Sequence, residues 1–352
     1  MQCPHCNANQ KYKDGMTCGA CGYRFALDPK KPPNLSDMAM KKAVDRISGF
    51  GQYAFTYTQL FAQIHRMLLK KKRGERVGCA VVFWIGMIVV GGFVVTNLSN
   101  WPVFIALAAV FAVWITFKIV RRPAKVPEDQ VTRVIAEYIG AHPLEGMATG
   151  KRLLRNGDAG WDDALFEHAP QGILIVERND MAEMLILNRF HLDNKTLVVS
   201  AEKYPPRAFK AFRHILEKWP DVPVSVIHDA SKKGHRLRND LLKDPSWGLK
   251  GRKIKDLGLH PHDVDRLKRP VWVPEKGAGK RAIVQTGEPV ENIQAGYRMP
   301  LDIAGPKALM GTTSLAMVTG MALLSEALLE EQRRSAMAGG FGGGSGGDVD
   351  FG

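Results

Sequence analysis

Cysteine is scarce in this chain, with five in 352 residues. Acids are scarce relative to bases: 35 Asp and Glu face 49 Lys and Arg, a formal charge of +14. That imbalance points to anionic partners, either lipid headgroups or a phosphate backbone. The first 30 residues show no signal-peptide pattern, so the first apolar segment is expected to stay as an anchor. Lys276-Gly-Ala-Gly-Lys-Arg281 lacks the G-x-x-x-x-G-K-[ST] spacing, which removes a nucleotide phosphate loop from consideration. The chain has no long internal repeat.

Charge is absent altogether from Val77–Thr96. At 1.5 Å per residue, about 20 residues span roughly 30 Å of hydrocarbon. Asn97-Leu-Ser-Asn-Trp-Pro102 turns the chain, and Val103–Val120 returns with only Lys118 near its end. Gly, Val, Ile and Phe surround these segments on all sides, which suits lipid better than a one-sided core helix. Lys70-Lys-Lys-Arg73 and Arg76 precede the hairpin, and Lys118, Arg121, Arg122 and Lys125 follow it, while the turn carries no Lys or Arg. The positive-inside bias places both termini in the cytoplasm, on a multi-pass protein of a bacterial inner membrane.

Four of the five cysteines lie within the first 21 residues, as Cys3-Pro-His-Cys6 and Cys18-Gly-Ala-Cys21. Two C-x₂-C knuckles supply four thiolates for a closed tetrahedral zinc site, with Gly19 and Gly22 easing the second turn. The cytoplasmic orientation argues against disulfides. Such ribbons bind nucleic acid or protein, or stabilise a terminus. Cys79 falls inside the first apolar segment.

The rest of the chain changes character at residue 172. Gly172-Ile-Leu-Ile-Val-Glu177 is an apolar run stopped by a carboxylate, and Val222-Pro-Val-Ser-Val-Ile-His-Asp229 repeats the pattern. Between them lie a helix-like piece (Asp180–Phe190), a strand (Thr196–Ser200) and an amphipathic helix (Arg207–Trp219). This alternation predicts a mostly parallel α/β sheet, whose ligands bind beyond the carboxyl ends of the strands.

Leu174-Ile-Val-Glu-Arg178, Leu197-Val-Val-Ser-Ala-Glu-Lys-Tyr-Pro205, Val226-Ile-His-Asp-Ala-Ser-Lys-Lys-Gly234 and Ile254-Lys-Asp-Leu-Gly-Leu-His-Pro-His-Asp-Val264 follow in that order. The order resembles the Toprim domain of the topoisomerase VI A subunit and its meiotic double-strand-break relatives. The resemblance covers about residues 170–268. It implies that Glu177 and Asp229 hold Mg²⁺ against a phosphodiester. Ser231 stands where the family has a second Asp, which removes a negative charge from that site. Asp180, Glu202 and His228 are the groups that could compensate. Tyr138 has no helix-turn-helix around it, so strand passage is not expected.

From Ser231 to Arg281, 15 Lys and Arg outnumber 6 Asp and Glu, and Lys232, Lys233, Arg236 and Arg238 are candidate phosphate contacts. Ser36–Ile47 and Tyr53–Lys72 read as helices. The second, with Phe55, Leu60, Phe61, Ile64, Met67 and Leu68 on one face, suits a membrane surface or a partner subunit. A connecting helix starts near Pro127 and carries Val131, Val134, Ile135 and Tyr138. Val271–Pro274 reads as an edge strand, and Ala308–Leu329 as a helix packed on the soluble domain, in preference to a third membrane span.

The expected organisation is therefore a zinc ribbon (1–29), a linker with amphipathic helices (30–75) and a transmembrane hairpin (76–122). A connecting helical segment (123–169), a Toprim-like domain (170–270), a C-terminal extension (271–335) and a disordered Gly-rich tail (336–352) follow. The function expected is nucleic-acid binding at the membrane with Mg²⁺-dependent cleavage of DNA, suited to defence. The alternative is a non-catalytic scaffold that recruits a protein through the ribbon or tail.

Overall fold

The computed structural model describes residues 1–72, 74, 75, 78, 126–154, 170–267, 270–275 and 288–319. Apart from Gly78, the expected transmembrane hairpin lies outside these residues, as does the Gly-rich tail. Among the described residues, no helix is long and apolar enough to cross a membrane.

After the cysteine knuckles comes α1 (Asp37–Ser48), opened by Ser36, whose hydroxyl accepts from the Ala39 amide at 3.3 Å. A short strand β1 (Phe55–Thr56) leads into α2 (57–72). Helix α3 (Glu128–Ala141) begins directly after Pro127, with Glu128 and Asp129 in its first turn. β2 (Met147–Ala148) then pairs in parallel with β1.

The main sheet follows in sequence: β3 (Gly172–Val176), α4 (Asn179–Leu187), α5 (Phe190–Asp193), β4 (Thr196–Ser200), α6 (Pro206–Lys218), β5 (Val224–Ile227), α7 (Lys232–Lys243) and β6 (Ile254–Asp256). These four strands are all parallel and run in the order β4-β3-β5-β6. Helix α8 (Pro261–Val264), the antiparallel pair β7 (Val273–Pro274) and β8 (Tyr297–Arg298) with α9 (Pro289–Gln294) between them, and α10 (Pro306–Thr319) complete the fold.

Both faces of the sheet are covered, which is why its strands read as unbroken apolar runs. Alternation along each strand divides the side chains. Ile173, Ile175, Leu197, Val199, Val224 and Val226 pack under Phe212 and Ile215 of α6 and Leu237 and Leu241 of α7. Leu174, Val176, Val198 and Ile227 face the other way, into a larger core.

That larger core corrects one expectation. The apolar face of α2 (Leu60, Phe61, Ile64 and Leu68) is buried in the chain's own interior, not spread on a bilayer or a partner subunit. Val131, Val134, Ile135 and Tyr138 of α3 join it, as do Leu309 and Ala316 of α10. Segments flanking the sheet in sequence therefore share its core. The reason is geometric: the β3–β6 sheet needs a second covering layer, and α4 alone is nine residues long.

Candidate functional site

The two knuckles at the amino terminus have the same backbone. The amide of Asn7 donates to Cys3 O, and that of Gly22 to Cys18 O. Cys3 N reaches Ala8 O as Cys18 N reaches Tyr23 O. The residue closing each turn is left-handed, Asn7 at φ 60° and Gly22 at φ 72°. Gly22 fills the role expected of it, whereas Asn7 matches it in the first knuckle, where no glycine signals the turn. The four thiols converge, with 3.6 Å between Cys3 and Cys21 Sγ and again between Cys6 and Cys18 Sγ. Zn–S bonds of about 2.3 Å in a tetrahedron require S–S edges of about 3.8 Å, so the cage matches zinc. Backbone N–H of Ala20 draws the Cys18 thiol down to about 7, while burial and the neighbouring thiols push Cys21 up to about 12, so the crowded thiols share few negative charges until a metal takes their protons' place. The ribbon is docked through buried Asp37, which accepts from the Ala26 and Leu27 amides and from Tyr23 Oη.

At the carboxyl edge of the sheet, β3 is flanked by β4 on one side and β5 on the other, so the chain reverses direction between β3 and β5. Crevices form at such reversals. Glu177 follows β3 and Asp229 follows β5, and both are buried. Glu177 Oε2 accepts from the Asp229 amide at 2.8 Å, and Oε1 accepts from Ser231 Oγ at 3.1 Å. Ser231 Oγ in turn accepts from Gly234 N at 2.7 Å, capping α7. A Cβ on Gly234 would fall 2.3 Å from Asp229 O and 3.0 Å from Glu177 Oε2, so the helix start closes directly over the two acids.

Asp229 is engaged on both oxygens. Arg298 Nη1 holds Oδ2, Arg178 Nε lies 3.4 Å from the same atom, and the Leu301 amide donates to Oδ1 at 2.9 Å. The guanidiniums belong to a wider cluster. Arg178 Nη2 is 2.6 Å from Asp302 Oδ2, and Arg178 and Arg298 both donate to Thr58 Oγ1. Asp302 also accepts from Thr56 Oγ1, which ties the start of α2 to the centre. Burial pushes Glu177 up to about 7, reinforced by the Asp229 charge. Burial would also raise Asp229, but Arg178 and Arg298 outweigh it and hold that carboxyl below the usual range.

This geometry does not fit the expected Mg²⁺. The ion needs open carboxylate oxygens in a near-octahedral shell. Here Asp229 is neutralised by two guanidiniums, Glu177 is spent on a backbone amide and a hydroxyl, and Ser231 brings no charge. Of the groups considered as compensation, Glu202 bonds Asn179 and Lys233 instead, and Asp180 lies 3.5 Å from Arg178 Nε. His228 turns toward β6, where its Nε2 is 3.0 Å from Asp256 Oδ1.

The candidate phosphate contacts are on α7, whose Leu237 and Leu241 are buried while Lys232, Lys233, Arg236 and Arg238 are exposed. Lys232 reaches Gln294 O at 2.8 Å and Lys233 reaches Glu202 at 3.0 Å. Comparison with protein families, with characterised proteins and with solved structures finds no match. The site stands on its own geometry.

Sequence reasoning located Glu177, Asp229 and Ser231 but missed Arg178, Arg298, Thr58 and Asp302. Arg178 adjoins Glu177 and was within sight. Arg298 comes from the two-residue strand β8, which carries no signal of its own.

Proposed function

We propose that this protein binds nucleic acid through the exposed basic face of α7, and that its acidic centre is architectural and does not hydrolyse phosphodiesters. The observation that carries this is the pairing of the two features: exposed Lys232, Lys233 and Arg236 on one side of α7, with exposed Arg238 on its other flank, beside an Asp229 already neutralised by arginine. The parallel sheet with acids after adjacent strands supports a degenerate Toprim-like domain. The uncharged run of Val77–Thr96 and its basic flanks support tethering at a bacterial inner membrane, facing the cytoplasm. The zinc ribbon supplies a second surface for nucleic acid or a protein partner.

The test uses the full-length chain in detergent with a fluorescent DNA duplex and, separately, supercoiled plasmid with Mg²⁺ or Mn²⁺. Each phosphate contact contributes about 0.9 to the slope of log affinity against log salt, so changing all four basic residues to Gln should flatten it by about 3.6 units. Plasmid should be retarded without nicking. Unchanged affinity in the fourfold variant would sink the α7 interface and leave the scaffold reading. Nicking abolished by Asp229→Ala would instead restore the nuclease.

A further inference from the structure

On the strand beside the closed acidic centre, three donors converge. His228 follows β5, Asp256 ends β6, and His260 precedes α8. Their ligand atoms all lie within 4.8 Å of one another. His228 Nε2 is 3.0 Å and His260 Nε2 is 3.8 Å from the same oxygen, Asp256 Oδ1.

The hydrogen bond on the far side of His228 decides its tautomer. Nδ1 is 2.8 Å from the Asp229 carbonyl, which can only accept, so Nδ1 carries the proton. Nε2 of His228 and Oδ1 of Asp256, 3.0 Å apart, therefore hold a cation between them. A proton fills that place when no metal is bound. A divalent ion taking its place would also reach the second imidazole, whose Nε2 lies 3.8 Å from the same oxygen. A carbonyl holding the distal N–H is the usual outer support of a metal-binding histidine.

The turn that carries Asp256 and His260 is built around this arrangement. Gly258 N donates to Asp256 Oδ1 at 3.1 Å, and Leu259 N donates to His228 O at 3.0 Å. A Cβ at Gly258 would lie 2.3 Å from His228 Cδ2, so only glycine lets the turn close over the imidazole.

We propose that His228 Nε2, Asp256 Oδ1 and His260 Nε2 form a binding site for a divalent first-row transition ion of the zinc or cobalt type. Metal–ligand bonds of about 2.0–2.2 Å put neighbouring ligands about 3–3.6 Å apart. His228 and Asp256 are already there, and His260 needs to move by about an ångström. Three protein ligands leave one tetrahedral position open. His260 and Asp256 are partly exposed, at 28% and 20% of their side-chain area, so that position faces solvent.

The test is Co²⁺ titration of the full-length chain after its cysteine site has been saturated with zinc. One further equivalent should bind, with visible d–d bands and no sulfur-to-cobalt charge-transfer band. His260→Ala and Asp256→Asn should each weaken it at least tenfold, with unchanged melting before metal is added. If a variant melts early, the Cys18→Ser chain supplies the second reading, because it must still bind the sulfur-free equivalent. Absence of a sulfur-free equivalent in the zinc-saturated protein, or its persistence in a folded His260→Ala variant, overturns the site.

Discussion

Replacing Arg298 by Met tests the closed centre most directly. Asp229 has no solvent exposure, and Arg298 is its tightest side-chain partner. Removing one member of a buried pair costs about 3–5 kcal/mol, because the other charge stays buried without compensation. Arg178 Nε remains 3.4 Å from Oδ2 and Leu301 N still donates to Oδ1, so the lower end applies, about 3 kcal/mol. Asp229→Asn leaves two guanidiniums facing an amide and should cost a similar amount. In the double variant neither charge is stranded by the loss of the other. The combined loss should fall short of the sum by about 2 kcal/mol, a coupling typical of directly bonded groups.

The assay is urea denaturation of the full-length protein and the three variants, with Arg236→Met as an exposed control expected within about 0.5 kcal/mol of wild type. If Asp229 were an open ligand waiting for a metal, Arg298→Met would cost little. Additive single effects, or a loss below about 1 kcal/mol for Arg298→Met, would refute the ion-paired centre.

Glu177 gives the pH dependence. Its folded pKa is raised from 4.5 to about 7, so the native state holds the proton more tightly than the unfolded chain and stability falls as pH rises through that window. Between pH 5 and pH 8, wild type should lose about 2–3 kcal/mol that Glu177→Gln does not lose, read from urea midpoints at the two pH values; parallel profiles would refute this. At the amino terminus, Cys18→Ser should remove one equivalent of zinc. Chelation should release the ribbon amides to hydrogen exchange while those of β3–β6 stay protected; unchanged zinc content in the variant would count against the four-cysteine site.

What the sequence disclosed depends on how local each signal was. The strands announced themselves because a doubly covered parallel sheet leaves no polar face. Ser36 and Pro127 marked helix starts because capping is decided within three or four residues. The C-x₂-C pairs predicted a thiol cage because both knuckles close within their own turns. Helix α2 misled for a physical reason: a lipid surface and a protein core demand the same stripe of Leu60, Phe61, Ile64 and Leu68. The occupants of the acidic centre were hidden because they are tertiary. Arg298 and Leu301 lie 69 and 72 residues beyond Asp229. Thr56, Thr58 and Gln59 arrive from the other end of the chain, where Gln59 Nε2 bonds Asp302 O at 2.9 Å.

Serine at position 231 suits the charge arrangement of the centre. An Asp at Ser231 would put a second carboxylate where a hydroxyl now donates to Glu177, and two acids at hydrogen-bond distance cannot both ionise without a cation. The hydroxyl removes that need and still caps α7 through Gly234. Arg178 and Arg298 already engage Asp229, Asp302 and Asp180, and a divalent ion entering the cluster would have to displace a guanidinium. One strand over, the balance differs: among the described residues, the ion pairs of Asp256 are with His228 and His260. Imidazoles can give up their protons to a metal near neutral pH, whereas guanidiniums keep theirs. With no second acid beside Glu177 and arginine as counter-ion, the proposed cation site falls at the β5–β6 edge and not in the β3–β5 crevice.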